Sequence, residues 1–175
     1  MALINTTTTG VLGSTFYADG SGDLTIQQNG VTINKITSAP AFSYQNTTGQ
    51  SITSTTWTKV TVNSQIFDTN SNVSSSRFTA TIAGYYQFNG CIRCAGSSLT
   101  GIVVSLYKNG SIVGYGNAQQ SSVAPDNSIN VSEVIYLAVS DYVELYGFII
   151  GTSPSFAYAA AGANARFSGA MIRAA

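Results

Sequence analysis

The sequence contains no histidine, two cysteines, three prolines and one tryptophan in 175 residues, and only 8% of its residues are charged. Each shortage removes a class of function. Without histidine the commonest general base is missing. Seven Lys and Arg balance seven Asp and Glu. A nucleic-acid binder needs clustered cations to displace counterions, and no such cluster exists, so nucleic acid is not an expected partner. The 44% hydrophobic content invites a membrane reading, yet no apolar run approaches the ~20 residues that span a bilayer. The longest candidate, residues 142–150, alternates in polarity and contains Glu144, which is the pattern of a strand. No membrane insertion is expected. The opening residues, Met1 to Thr9, carry no basic segment and no apolar core of signal-peptide length, so classical secretion is not expected either.

Cys91 and Cys94 form a lone C-x-x-C. Residues three apart on a strand point to opposite faces, so the two thiols should not bond to each other. A zinc site would need two further ligands that the chain does not offer at any useful spacing. The seven acids, Asp19, Asp23, Asp68, Asp126, Glu133, Asp141 and Glu144, form no paired-carboxylate or calcium-loop motif. Nucleophile elbow, Walker loop and dinucleotide fingerprint are all missing. The chain reads as a non-enzyme that needs no cofactor.

What is plentiful is alternation and aromatic side chains. After Gly84, residues Tyr86, Phe88, Gly90, Ile92 and Cys94 share one face of a strand, while Tyr85, Gln87, Asn89, Cys91 and Arg93 share the other. The second face keeps a large aromatic, which suggests that it also meets protein. Two Asn-Gly pairs, Asn29-Gly30 and Asn109-Gly110, are each flanked by alternating runs, the strongest short signal for a hairpin. From Ala39 onward strands recur at regular spacing, with 41–44, 57–62, 78–82, 102–107, 129–137, 142–150 and 166–172 as candidates. Residues 157–165 are nearly all alanine and read as a small-residue segment packed against a neighbour, with a short helix as the alternative. Trp57 is expected to plug one end of the sandwich rather than to serve as a ligand platform. The fold class is all-β.

Five motifs then fall in one order: Pro40-Ala41-Phe42-Ser43; Phe67-Asp68 with Arg77-Phe78-Thr79 and Gly84-Tyr85-Tyr86-Gln87-Phe88; Val104 to Gly110; Leu137 to Leu145; and Phe167 to Ile172. Together they resemble C1q/TNF-like domains over residues 39–175. Ser140 departs from the pattern, which usually has Gly before the Asp. The resemblance implies a jelly-roll β-sandwich that assembles as a tight homotrimer. It also implies that the face opposite Phe88 lines the threefold axis, with Tyr85, Gln87 and Phe167 at the interface. Some C1q-like domains bind calcium, which makes Asp126 and Asp141 candidates for a shared cation. A solvated turn acid is the favoured reading of each.

Residues 1–38 lie outside the resemblance. Their centre, Phe16 to Asp23, reads as a turn-rich connection leading into a β-hairpin carried by Leu24, Ile26, Val31 and Ile33. Such a hairpin is marginal alone and must lie against something. We read it as an attachment arm. Its Ala18-Asp19-Gly20-Ser21-Gly22-Asp23-Leu24-Thr25-Ile26 run resembles connecting β-segments of bacteriophage appendages. The functional expectation is a virion structural protein, a trimeric knob cementing or decorating the capsid, with the major capsid protein or a tail component as partner. Because the chain offers no shaft, the alternative of a tail-fibre tip that binds host surface glycans is placed second. A cellular C1q-like recognition module is the third reading.

Overall fold

The computed structural model describes residues 15–18, 24–28, 31–36, 39–157 and 165–175. By their internal contacts the residues divide into two units, Met1–Ala39 and Pro40–Ala175.

The first unit holds three strands, β1 (Thr15–Ala18), β2 (Leu24–Gln28) and β3 (Val31–Ile36), in one antiparallel sheet of that order. Gln28 stands opposite Val31 as the expected hairpin requires, while its Asn29-Gly30 pair lies outside the described residues. Leu24 and Ile26 lie on β2, and Val31 and Ile33 on β3. The Phe16–Ala18 stretch, expected as a turn-rich connection, instead belongs to β1, where Phe16 pairs with Ile26. A third strand gives the hairpin the extra ladder that a two-stranded ribbon lacks.

The second unit contains β4 (Ala41–Gln45), β5 (Gln50–Ser51), β6 (Thr58–Lys59), β7 (Ser64–Asp68), β8 (Val73–Ser74), β9 (Arg77–Thr79), β10 (Gly84–Lys108), β11 (Ser111–Gln120), β12 (Ser128–Leu137), β13 (Tyr142–Phe156) and β14 (Arg166–Ala174). No helix occurs among the described residues. β10 organises the rest, because its 25 residues serve both layers. From Gly84 to Arg93 it pairs with β12 on one side, and its first eight residues pair with β14 on the other. From Cys94 to Lys108 it pairs with β13, and from Gly101 also with β11. The first layer therefore runs β7-β4-β14-β10-β12, and the second runs β11-β10-β13-β9-β8 with β5 and β6 also on β13. The sheet nearly closes into a barrel.

Period-two burial follows the sequence. Tyr86, Phe88, Ile92 and Cys94 are each wholly buried, whereas Tyr85 and Asn89 are exposed. Phe42, Phe78, Phe88 and Phe167 form the aromatic centre, with Phe42 stacked on Phe78 at 4.9 Å and set edge-on to Phe167 at 5.0 Å. Ile102, Leu106, Leu145 and Ile149 fill the space toward the second layer. Gly90 is fixed by this packing, since a Cβ there would stand 2.2 Å from Leu145 Cδ1.

Local chemistry explains the turns. Asn109 (φ 50°) and Gly110 (φ 81°) occupy the left-handed region that a two-residue hairpin demands, and Lys108 pairs with Ser111 across them. Ser140 also sits there, at φ 73°, a backbone conformation that favours the Gly which the resemblance leads one to expect before Asp141. The expected strand at 57–62 is reduced to Thr58–Lys59 because the chain beyond leaves the ladder. Val60 N still donates to Leu145 O at 2.9 Å, but Val62 N turns to Ser76 Oγ at 2.9 Å. The alanine-rich expectation for 157–165 falls mostly on residues 158–164, outside the described residues.

Candidate assembly and binding surfaces

The outward face of the first layer can be read rung by rung from the ladder registers. Tyr136, Tyr85 and Arg173 stand side by side on β12, β10 and β14; next come Val134, Gln87, Ala170 and Ala41. The third rung is Ser132, Asn89, Ser168, Ser43 and Phe67. The fourth is Asn130, Cys91, Arg166 and Gln45. None of these residues is a carboxylate, and the two middle rungs carry no charge.

Two of the sequence-selected residues meet here and one does not. Tyr85 and Tyr136 are 46% and 45% exposed, with ring centroids 5.4 Å apart. Gln87 Nε2 donates to Ser132 Oγ at 2.8 Å, and that hydroxyl donates to Asn89 Oδ1 at 2.9 Å, giving a flat polar row beside the aromatic pair. Phe167, expected at the interface, is instead wholly buried in the core of its own chain. Its backbone lies opposite Gly90, so it shares the inward parity of Phe88 and stacks on that ring at 6.0 Å. Val134 and Ile172, at 49% and 58% exposure, extend the surface instead; nothing local in the sequence separates them from core residues.

The two loop acids cannot share a cation. Asp126 precedes β12 and Asp141 follows it, and a ten-residue strand spans about 30 Å. Each already has a cationic partner, Asp126 from Arg93 Nη2 and Asp141 from Lys108 Nζ, both at 2.9 Å. Asp141 is no simple solvated acid. It also accepts from Asn109 Nδ2 at 2.7 Å and from Ala138 N at 2.9 Å, and these bonds, led by those from Lys108 and Asn109, lower its pKa to about 2. Among the described residues no group of three or more potential metal ligands is found. Cys91 and Cys94 face opposite ways as expected, and burial pushes both thiols up, which keeps them protonated.

The outward face of the second layer is built differently. Trp57 does not plug the sandwich. It is half-buried on the outside of the sheet, with Phe148, Tyr107 and Tyr115 at 5.4, 6.1 and 6.1 Å. Tyr107 stacks on Tyr146 at 4.0 Å. Ser105, at the centre of these strands, shares their outward parity and is wholly covered. Beside the rings, Glu144 is 3% exposed, and its Oε1 accepts from Arg77 Nε at 2.8 Å and Lys59 Nζ at 3.2 Å. Arg77 lies over the Tyr142 ring at 3.8 Å.

No protein-family model and no curated protein sequence matches the chain. Solved structures do. The globular domain of zebrafish complement 1qA is similar at TM-score 0.57 and 18% identity, covering 78% of this chain and 99% of that one. An Eiger TNF from S. frugiperda is similar at TM-score 0.57 and 15% identity, covering 78% and 93%. Murine APRIL, in a structure at pH 5.0, is similar at TM-score 0.53 and 12% identity, covering 77% and 99%. By this similarity, together with its all-β two-layer architecture, the chain carries a C1q/TNF-like jelly-roll fold.

Proposed function

We propose that the protein is a non-enzymatic homotrimeric knob, closed through the outward face of the first layer. The observation that carries this reading is the uncharged pair of middle rungs beside the exposed Tyr85–Tyr136 pair. Burying an unpaired charge is costly, and aromatic side chains are enriched where proteins meet. Threefold assembly of similar domains supports trimers over dimers. Tyr85, Gln87, Val134, Tyr136 and Ile172 form the contact, and Phe167 supports it from inside.

For the setting, we place the knob on a bacteriophage particle, docked to the capsid through residues 1–38. Two features support this: residues 1–39 form a compact unit of their own, and their Ala18–Ile26 stretch resembles appendage connectors. Light scattering of the purified chain tests the assembly, with a trimer expected and a monomer overturning it. Copy number in purified particles tests the setting. A ratio near that of the major capsid protein is expected. A ratio of a few per cent would move the knob to the tail, and absence from particles would remove the virion setting.

A further inference from the structure

The aromatic cluster on the second layer takes no part in the assembly face, because it lies on the opposite side of the sandwich. We propose that it is a binding site for glycans that carry an acidic sugar. A pyranose ring would rest on Trp57 and Tyr115, and an acidic sugar farther along the glycan would reach Lys59 and Arg77, because Phe148 beside Trp57 stands four residues, about 13 Å, from Glu144 along β13. The proposal does not depend on trimerisation or on where the knob is docked.

Three observations converge. First, the rings are assembled from separate segments: Trp57 ahead of β6, Tyr107 on β10, Tyr115 on β11, Phe148 on β13. Trp57 is half-buried among Tyr107, Tyr115 and Phe148, yet Tyr115 remains 66% exposed, the largest exposure of any big apolar side chain described. A sugar presents a face of C–H groups that fits an aromatic plane, while its hydroxyls need uncharged polar neighbours. Exposed Thr56 and Asn117 lie in the segments that carry Trp57 and Tyr115.

Second, charge complementarity selects an acid. Glu144 is the only carboxylate on this outward face among the described residues, and one of its oxygens already holds both cations. Two positive groups against one negative leave a net positive end to the platform. Arg77 and Lys59 remain 42% and 34% exposed at the side chain. Arg77 meets Glu144 through Nε, so its two terminal nitrogens lie outside that bond and present the fork that suits a carboxylate.

Third, the patch is poor in the exposed apolar surface that the core of a protein interface uses. Beyond Tyr115, the large apolar side chains exposed on β11 and β13 are Val113 at 42% and Ile150 at 36%.

Trp57 is the sole tryptophan, so its fluorescence reports on this site alone. The experiment titrates the full chain with sialyllactose, a hyaluronan tetrasaccharide and lactose, each to about 10 mM. A saturable change in emission is expected with at least one acidic probe, with lactose about tenfold weaker or more. Tyr115→Ala, at an exposed position, should abolish the change while the melting temperature holds. Arg77→Lys keeps the charge beside Glu144 but loses the fork, and should weaken the acidic probe without affecting lactose. No response to either acidic probe overturns the site. Equal response to lactose overturns the role of Lys59 and Arg77, and an unaltered response in Tyr115→Ala overturns the platform.

Discussion

Tyr85 and Tyr136 face each other across the β10–β12 ladder, rings 5.4 Å apart, on the side of the strands that their own subunit leaves open. Both side chains bring apolar bodies with a hydroxyl at the tip, and the neighbouring rung is Val134 and Gln87. In the proposed trimer, introducing charge here should separate subunits without unfolding them. Tyr85→Asp is expected to give a monomer by light scattering with an unaltered far-ultraviolet circular dichroism spectrum, since Tyr85 is about half exposed. A stable trimer in that variant would remove Tyr85 from the interface.

Asp141 ties the β12–β13 turn to the β10–β11 turn, because Asn109 donates to its carboxylate and accepts from Tyr142 N at 3.0 Å. Its pKa falls from 3.8 to about 2 on folding. A lowered carboxyl pKa contributes stability above the unfolded value, and that contribution is lost as pH falls through the folded one. Stability should therefore decline between about pH 4 and pH 2 on this account. Asp141→Asn should be less stable at neutral pH and show a shallower decline across that window, as measured by urea melts at a series of pH values.

Ser140, at φ 73°, carries a side chain in backbone territory that favours glycine. Ser140→Gly should stabilise the domain by about 0.5–1 kcal/mol, the strain relieved less the added freedom of the unfolded chain. Chemical denaturation should show a higher midpoint with an unchanged slope.

Glu144 is buried beneath Lys59 and Arg77, and losing its charge would leave two cations competing for a neutral amide. Glu144→Gln should cost about 1–3 kcal/mol. The partial exposure of both cations keeps the figure below that of a fully buried pair. A melting temperature within error of the parent would mean that the two cations find water as readily as they find the carboxylate.

Where the sequence was legible, the signal was local. Alternation from Gly84 to Cys94 assigns Tyr86, Phe88 and Ile92 to the core from period two alone, and Asn109-Gly110 marks its hairpin by conformational need. The candidate strand 129–137 between Asp126 and Asp141 already argues against the shared cation that the resemblance implies, although that expectation does not use it. The place of Trp57 was not legible, since its partners Tyr107, Tyr115 and Phe148 come from three strands 50 to 91 positions away. Phe167 was misplaced because its direction is set by pairing opposite Gly90, a register that exists only once β14 is docked. Glu144 reads as one polar residue in an alternating run, and its cations come from 67 and 85 positions away.

One strand, β10, changes partners between Arg93 and Cys94 while its backbone runs on. The two layers are thus woven on a common thread. Shear applied to either layer is delivered through continuous covalent backbone to the other, which couples the two layers mechanically. A domain built this way should resist load until it fails all at once. Its slowest-exchanging amides should run unbroken from Tyr86 to Ile92, resuming at Ile102 beyond the irregular stretch around Ser98.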